Sequence, residues 1–426
     1  MPTQSHKSEI VSTLKYASKY GVGVIVPGIL SFFFIPLVVQ LFDVSVFAKF
    51  SIVQNATNLF VLFSFGWLNQ GIIRFYSKYQ NSDEFIFAVY RLFLISSLAG
   101  VFASIFLFIF LQLSLLASIL VFFIFIFTGL YSILISIKQA NVKPVPIMIL
   151  EIIRTLLLIS LPYFSIRNNW QIDQLLTLLS ALFISFLVPI LFDLKILLGV
   201  LNHSVKQKPF AIFRKRLINY GYPITIFLGI SLALNVSDRF IIAQILNYDL
   251  SGKYSALYDI IGKSVTMACA PILMAFFPAI TNQYNARNYG KVKRLLFTAI
   301  FAELAIFLIV FSVIYFFGGS IFSKLFSGKI DLEIIKLAIP IFFGIALWQF
   351  AMLIHKPLEL KQKTKQLAIG VSIAFTVNII ANWYFIKLYQ SVTPAAYCTI
   401  GSSIVYLVYM YVSDRKFWNY STNVLS

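Results

Sequence analysis

The chain has 426 residues, of which 60% are hydrophobic and only 12% are charged, and its mean hydropathy is +0.88. Because soluble globular domains carry about 25% charged residues, this composition excludes a soluble enzyme and indicates a protein that lies in a lipid bilayer. The net charge of +19 would suggest nucleic-acid binding in a soluble protein, but in a membrane protein it indicates basic cytoplasmic loops. We therefore expect no nucleic-acid partner.

Twelve apolar runs are long enough to cross a bilayer, since a spanning helix needs about 20 mostly apolar residues. In chain order they cover 20–41, 50–73, 86–109, 115–137, 147–166, 174–198, 218–246, 254–280, 295–317, 333–354, 366–388 and 394–412. The sequence therefore predicts an all-α integral membrane protein with twelve transmembrane helices.

Lys and Arg are distributed unevenly over the loops between these runs. With the amino terminus inside, and with cations toward the ends of spans counted with the adjacent loop, 25 of the 34 Lys and Arg lie in cytoplasmic segments, 7 lie in external loops and 2 lie within spans. Cytoplasmic loops of membrane proteins are enriched in Lys and Arg. The sequence therefore predicts that both termini are cytoplasmic.

The longest basic loop divides the twelve spans into two sets of six. Similar short runs open corresponding spans of the two sets, such as Tyr20-Gly21 in span 1 and Tyr220-Gly221 in span 7. Repeats with an even number of spans share one orientation, which is a transporter layout. We predict an N-terminal six-helix bundle over 1–200, a basic cytoplasmic linker over 201–217 that binds anionic membrane lipids, and a C-terminal six-helix bundle over 218–426, arranged around a central cavity.

Spans 7 and 8 carry two motifs. Span 7 contains DRFII from Asp238, and span 8 is opened by YDLSGKYSALY from Tyr248, with a turn at its Gly-Lys-Tyr-Ser segment. With the twelve-span plan, these motifs resemble the signature of the Wzx-type polysaccharide (O-antigen) flippases, a family of the multidrug/oligosaccharidyl-lipid/polysaccharide exporter superfamily.

The resemblance implies a function in the bacterial inner membrane. Such flippases move undecaprenyl-pyrophosphate-linked oligosaccharide repeat units from the cytoplasmic to the periplasmic leaflet by alternating access, for O-antigen or other surface polysaccharide synthesis. That step is transport, so no enzymatic activity is implied. The candidate protein partners are a polysaccharide polymerase and a chain-length regulator, which the sequence does not identify.

Two basic residues lie within spans, Arg239 on span 7 and Lys263 on span 8. A charge at the bilayer centre costs about 2.5–3.5 kcal/mol, so such residues usually face a cavity or a partner. The pyrophosphate of the cargo carries about two negative charges, and burying them without cations is unfavourable. We predict that Arg239 and Lys263 bind this group.

Acidic residues within spans are candidates for ion coupling. We predict that Asp238, Asp259 and Glu303 titrate or bind a coupling ion, either H⁺ or Na⁺. Structural pairing is the alternative, since Asp259 stands four residues before Lys263 on the same helix. Glu151 and Arg154 form a similar local pair for which a structural role is favoured. The Cys and His residues are scattered, so we expect no metal site and no other cofactor.

Amide and aromatic side chains within spans are candidates for sugar recognition. Amides bind hydroxyl groups and aromatic rings stack on sugar faces. The predicted substrate-binding residues of this kind are Asn69, Gln70, Asn235, Trp348 and Asn378. Hydrogen bonding between helices, at about 0.6 kcal/mol per bond, is the alternative for each polar residue.

Pro27 and Pro223 occupy corresponding places in spans 1 and 7. Proline removes one backbone hydrogen bond from a helix and permits bending there. We predict that these two residues act as hinges, and static kinks are the alternative.

Two other functions compete with the flippase. An ion-coupled multidrug or cation antiporter of the same fold would need an acidic lumen, and Arg239 and Lys263 argue against one. A membrane-embedded polysaccharide polymerase would need a sizeable external loop with catalytic groups, but the predicted external loops are short.

Overall fold

The computed structural model describes residues 26–80, 82–142, 144–168, 172–194 and 208–419. These residues are helical almost throughout, and no strand occurs among them. The predicted cytoplasmic amino terminus, the beginning of span 1, the 201–207 part of the predicted linker and the carboxy terminus from 420 lie outside the described residues.

The helices follow the predicted spans in order. They are α1 Val26–Leu41, α2 Val44–Tyr79, α3 Asp83–Ser97, α4 Ala99–Leu111, α5 Leu115–Ala140, α6 Pro144–Arg167, α7 Gln174–Phe192, α8 Lys208–Ile245, α9 Tyr248–Asn285, α10 Tyr289–Leu325, α11 Leu332–Ile335, α12 Ala338–Ile354, α13 Lys356–Leu360, α14 Thr364–Tyr389, α15 Thr393–Ser413 and α16 Arg415–Asn419. Within the described ranges, eleven segments are long and apolar enough to cross a membrane, and α1 is a further apolar helix. The predicted all-α membrane architecture is confirmed.

Polar residues at the ends of the spans fix where several helices begin. The side chains of Ser82, Ser114, Asp173 and Asn288 each accept a hydrogen bond from a backbone N–H in the first turn of the helix that follows. Such a cap contributes about 1 kcal/mol because the first backbone N–H groups of a helix have no partner within it. Each of these caps therefore stabilises the first turn of an apolar helix.

Four helices extend well beyond the predicted spans. Helices α2, α8, α9 and α10 contain 36 to 38 residues, which corresponds to about 54–57 Å, whereas the hydrocarbon core is about 30 Å thick. The predicted turn at Gly252–Ser255 is wrong, because this segment lies within α9. Hydropathy identifies the apolar part of a helix, and polar residues continue the same helix outside the bilayer.

The N-terminal unit comprises Leu37–Ala243 and Asn247–Gly252. In it α2 packs on α5, and α5 and α6 pack on α7. The ring of Phe65 on α2 is buried against Phe93 and Phe125, with ring centroids 5.0 and 5.3 Å away. Helix α8 belongs to this unit as far as Ala243, so residues from both predicted bundles pack together in it.

The C-terminal unit has 26–36, Gln244–Leu246 and 253–419 as its described residues. In it α12 and α14 both pack on α15, and α10 packs on α12. The chain therefore passes from one compact unit to the other near Pro36 and near Gly252, whereas the predicted bundles are separated at 201–217. The division of the spans into six and six describes membrane topology and stays a prediction.

Close helix packing in the N-terminal unit depends on glycine at Gly221 of α8. A Cβ added there would overlap the carbonyl oxygen of Trp67 on α2, and this backbone atom cannot rotate away. Small residues at such positions let membrane helices approach closely. We expect Gly221→Ala to lower the free energy of unfolding by about 1–3 kcal/mol, measured as a lower unfolding temperature in detergent.

Gly319→Ala is the matched control, because a Cβ at this helical glycine of α10 meets nothing within 4 Å. We expect it to leave stability unchanged or raise it by about 0.5–1 kcal/mol, since alanine is the better helix former. An unaltered unfolding temperature for Gly221→Ala would contradict the packing of α8 on α2.

Candidate functional site

Asp238 and Arg239 are buried on α8 in the N-terminal unit, each with 2% of its surface exposed. Arg239 Nη1 donates to Ser51 Oγ on α2 at 3.1 Å, and Asp238 Oδ1 accepts from the Arg239 backbone N–H at 2.9 Å. Ser251 Oγ on α9 donates to the Arg239 carbonyl oxygen at 2.9 Å. These contacts give Arg239 a structural role in joining three helices, and its predicted role in cargo binding stays a prediction.

A second charged pair of the N-terminal unit, Glu151 and Arg154, lies on α6. Arg154 Nη2 is 2.9 Å from Glu151 Oε2, and Tyr131 on α5 donates its hydroxyl to Glu151 Oε1 at 2.9 Å. Both oxygens of this carboxylate therefore have a partner. The contacts agree with the structural role favoured for this pair.

The predicted sugar-binding amides of the N-terminal unit have different surroundings. Asn69 Nδ2 donates to Ser132 Oγ on α5 at 2.9 Å, and Asn235 Nδ2 donates to the Ser231 carbonyl of its own helix at 2.7 Å. Gln70 is half-buried beside Asn69. The hydrogen bond of Asn69 connects two helices, and this is the structural role that was the alternative to sugar binding.

Lys263 lies half-buried on α9 in the C-terminal unit. Its Nζ donates to the carbonyl oxygen of Ser31 on α1 at 2.7 Å. The half-buried Asp259 stands one turn earlier on α9. The ammonium group of a residue on one spanning helix thus contacts the backbone of another apolar helix.

The predicted hinge Pro27 is buried on α1, next to Gly28. A Cβ at Gly28 would stand 3.2 Å from the Met267 sulfur on α9, so α1 and α9 approach closely here. The other predicted hinge, Pro223, is exposed within α8 of the N-terminal unit. Their predicted bending stays a prediction.

Glu303 is fully buried near the middle of α10, with 0% of its surface exposed. Neither carboxylate oxygen accepts a hydrogen bond from any residue in the described part of the chain. One turn later Phe307 packs edge-on against Phe342 of α12, with ring centroids 6.2 Å apart. Burying a carboxylate without a partner is unfavourable, so this position carries an energetic cost that a structural role does not explain.

Two buried amides on α14 form a ladder in the C-terminal unit. Asn382 Nδ2 donates to Asn378 Oδ1 at 3.0 Å, and Asn378 Nδ2 donates to Ser402 Oγ on α15 at 3.1 Å. Asn378 is one of the residues predicted from the sequence to bind the substrate. The structure adds a bond between two packed helices.

The indole of Trp348 on α12 is buried and stacks on Tyr406 of α15, with ring centroids 4.8 Å apart. The Tyr406 hydroxyl is 2.9 Å from Nδ1 of the buried His355, and His355 Nε2 is 3.4 Å from a carboxylate oxygen of Glu359. A neutral ring that donates from Nε2 and accepts at Nδ1 fits both neighbours. The predicted sugar-binding Trp348 therefore belongs to a packed aromatic and polar cluster.

His355 and Glu359, which lie just outside the predicted span, have pKa values shifted from their ordinary values. Burial lowers the pKa of His355 below its ordinary value. Burial alone would raise the pKa of Glu359, but the hydrogen bond from His355 and the neighbouring Lys356 ammonium outweigh it, and the pKa is about 2. At neutral pH Glu359 is thus ionised beside a neutral imidazole.

The helical architecture, with eleven described segments long and apolar enough to cross a membrane, defines the class of this protein: it is a multi-pass membrane protein. No family model matches the chain, and no curated protein sequence matches it. Several solved structures are similar to it. A multidrug resistance MATE family transporter of the MOP superfamily, captured in an inward-facing conformation, has a TM-score of 0.69 at 14% identity and aligns over 94% of this chain and 96% of its own.

Two further structures resemble the chain. The lipid II flippase MurJ in an inward closed conformation has a TM-score of 0.69 at 18% identity, over 93% of this chain and 87% of its own. A MOP superfamily transporter from Pyrococcus furiosus has a TM-score of 0.64 at 13% identity, over 96% of both chains. At these identities the similarity establishes the fold, and it is a fold shared by transporters and a flippase.

Proposed function

We propose that the protein is a flippase that moves undecaprenyl-pyrophosphate-linked oligosaccharide repeat units from the cytoplasmic to the periplasmic leaflet of the bacterial inner membrane by alternating access. The observation that carries the proposal is the similarity to a lipid II flippase over 93% of the chain. The product would serve O-antigen or other surface polysaccharide synthesis. The protein would act as a transporter rather than an enzyme, with both termini in the cytoplasm.

The cations held within spans support an anionic cargo. Arg239 is buried in the N-terminal unit, and Lys263 is half-buried in the C-terminal unit. Positive charge in a membrane is unfavourable by itself, so a pyrophosphate group that pairs with it gains more than it would in water. Of the two residues, Lys263 is the better candidate, because Arg239 also joins three helices.

Ion coupling would supply directionality. An inside-negative potential favours outward movement of the cargo's negative charge by about 2.3 kcal/mol per charge per 100 mV. Among the predicted coupling residues, Glu303 is supported most strongly, because its buried carboxyl oxygens accept no hydrogen bond from the described residues. H⁺ or Na⁺ bound there would offset the cost of burying its charge.

Leaflet-resolved labelling tests the proposal in cells that lack the gene. We expect the lipid-linked oligosaccharide to accumulate on the cytoplasmic face and the wild-type protein to clear it. Cargo that reaches the outer face at a normal rate without the protein would exclude flipping. A co-purification experiment with the polysaccharide polymerase and the chain-length regulator would test the proposed partners separately.

A second function is an ion-coupled multidrug or cation antiporter. The observation in its favour is the buried Glu303, together with the fold of a multidrug resistance transporter. An antiporter would give dye efflux that depends on Glu303, and the loss of the gene would leave the leaflet distribution of lipid-linked oligosaccharide unchanged. The two outcomes distinguish the candidates.

A further inference from the structure

An open surface cavity of about 720 Å³ lies in the C-terminal unit, where α13 passes into α14 and α15 passes into α16. Its volume is within the range of about 300–1,000 Å³ that is usual for ligand pockets. The charged and amide residues that line it are Lys361, Lys363, Asp414, Arg415, Lys416 and Asn419. Four of these six are cations.

Only one of the four cations has an acidic partner among the described residues. Lys361 Nζ is 2.7 Å from each carboxylate oxygen of Asp414, whose residue surface is 6% exposed. This ion pair is neutral as a whole. Within the described ranges, Lys363, Arg415 and Lys416 form no ion pair, so the cavity carries three positive charges without a counter-charge.

The buried side of α16 anchors this part of the cavity lining to the rest of the C-terminal unit. Phe417 and Trp418 are each 8% exposed, and the buried Lys293 of α10 donates from Nζ to the Trp418 carbonyl at 2.8 Å. Arg415 and Lys416 on the same short helix are exposed. The two cations are therefore presented by an anchored segment rather than by a loose loop.

The cavity lies at the ends of two apolar helices, which indicates its depth relative to the membrane. The apolar helix Thr364–Tyr389 begins at the cavity and the apolar helix Thr393–Ser413 ends at it, so the cavity lies at the membrane surface. Lys and Arg bind phosphate oxygens strongly, and Arg can do so through two parallel hydrogen bonds. Three uncompensated cations at a membrane surface match a doubly or singly charged phosphate group.

We propose that this cavity binds a phosphate group at the membrane surface, with Lys363, Arg415 and Lys416 as its ligands. The group comes either from the headgroup of an anionic phospholipid or from soluble pyrophosphate. The site is separate from the residues proposed for cargo binding and coupling, and it does not depend on the flippase function. Each Lys or Arg near an anionic surface strengthens such binding.

The test compares two triple variants of the full-length protein in neutral detergent. The first is Lys363→Gln with Arg415→Gln and Lys416→Gln. The matched control removes three exposed cations of the same unit that do not line the cavity, Arg287→Gln with Lys291→Gln and Arg294→Gln. Native mass spectrometry measures the binding of short-chain phosphatidylglycerol, phosphatidylcholine and inorganic pyrophosphate.

We expect the cavity variant to bind phosphatidylglycerol or pyrophosphate at least tenfold more weakly than the wild type, while the control variant changes less than threefold. Strong binding of phosphatidylglycerol that pyrophosphate does not displace identifies the lipid source, and displacement identifies the soluble one. Equal affinity of the two triple variants, or equal binding of phosphatidylglycerol and phosphatidylcholine without pyrophosphate binding, would overturn the site. If the triple variant does not fold, the single variant Lys363→Gln is measured against Lys291→Gln.

Discussion

Replacing Lys263 by Met is expected to slow flipping of the lipid-linked oligosaccharide by about 10- to 100-fold while the protein still folds. Met keeps an unbranched apolar chain but removes the ammonium group. Hydrogen bonds to a charged partner contribute about 1.5–3 kcal/mol, and 1.4 kcal/mol corresponds to a factor of ten. The measurement is leaflet-resolved labelling in cells that carry the variant as their only copy.

The expected effect separates cargo binding from helix packing. Lys263 donates a hydrogen bond at 2.7 Å to the Ser31 carbonyl, and a purely structural lysine would act through packing contacts such as this one. Lys263→Met would then lower the unfolding temperature and the amount of protein in parallel with flipping. A cargo-binding lysine would instead leave stability unchanged or raise it, because a charge within a span is costly.

Two further variants complete the Lys263 experiment. Lys263→Arg keeps the charge, and we expect it to retain most of the flipping rate. Lys387→Met is the control, since Lys387 is exposed near the end of α14 and lies over the Trp383 ring at 5.0 Å. Normal flipping by a stably folded Lys263→Met protein would remove Lys263 from the cargo site.

The spans were predictable from the sequence because hydropathy is a local property. Each of the twelve apolar runs matches an observed helix or a pair of consecutive helices, apart from the parts of span 1 and span 6 outside the described residues. The Glu151–Arg154 pair is local too, since residues three apart lie on one helix face. What could not be predicted locally was how far α2, α8, α9 and α10 continue beyond the bilayer.

The surroundings of the predicted site residues could not be derived in the same way. Arg239 bonds to Ser51, which is 188 residues away, and Lys263 bonds to Ser31, which is 232 residues away. Such partners depend on which helices pack together. The cationic cavity at Lys363 could not be predicted for the same reason, because its lining comes from two segments that are far apart in the sequence, one before α14 and one at the end of α15 and in α16.

Replacing Glu303 by Gln is expected to remove the response of the protein to its coupling ion. Gln has nearly the same shape but cannot carry the negative charge that would bind Na⁺ or exchange H⁺. A ligand that binds only the folded state stabilises it by about 2.7 kcal/mol at 100 times its dissociation constant. The wild type should therefore unfold a few degrees higher when Na⁺ is added, or when the pH is lowered if the ion is H⁺.

The Glu303→Gln protein should unfold at one temperature regardless of Na⁺, and it should lose ion-driven transport in vesicles. Glu333→Gln is the matched control, because Glu333 belongs to the same unit but is exposed at the start of α11. Its ion response should equal that of the wild type. If Glu303→Gln kept the wild-type response, the coupling ion would bind elsewhere, and the buried carboxyl would have to be explained by packing against α12 alone.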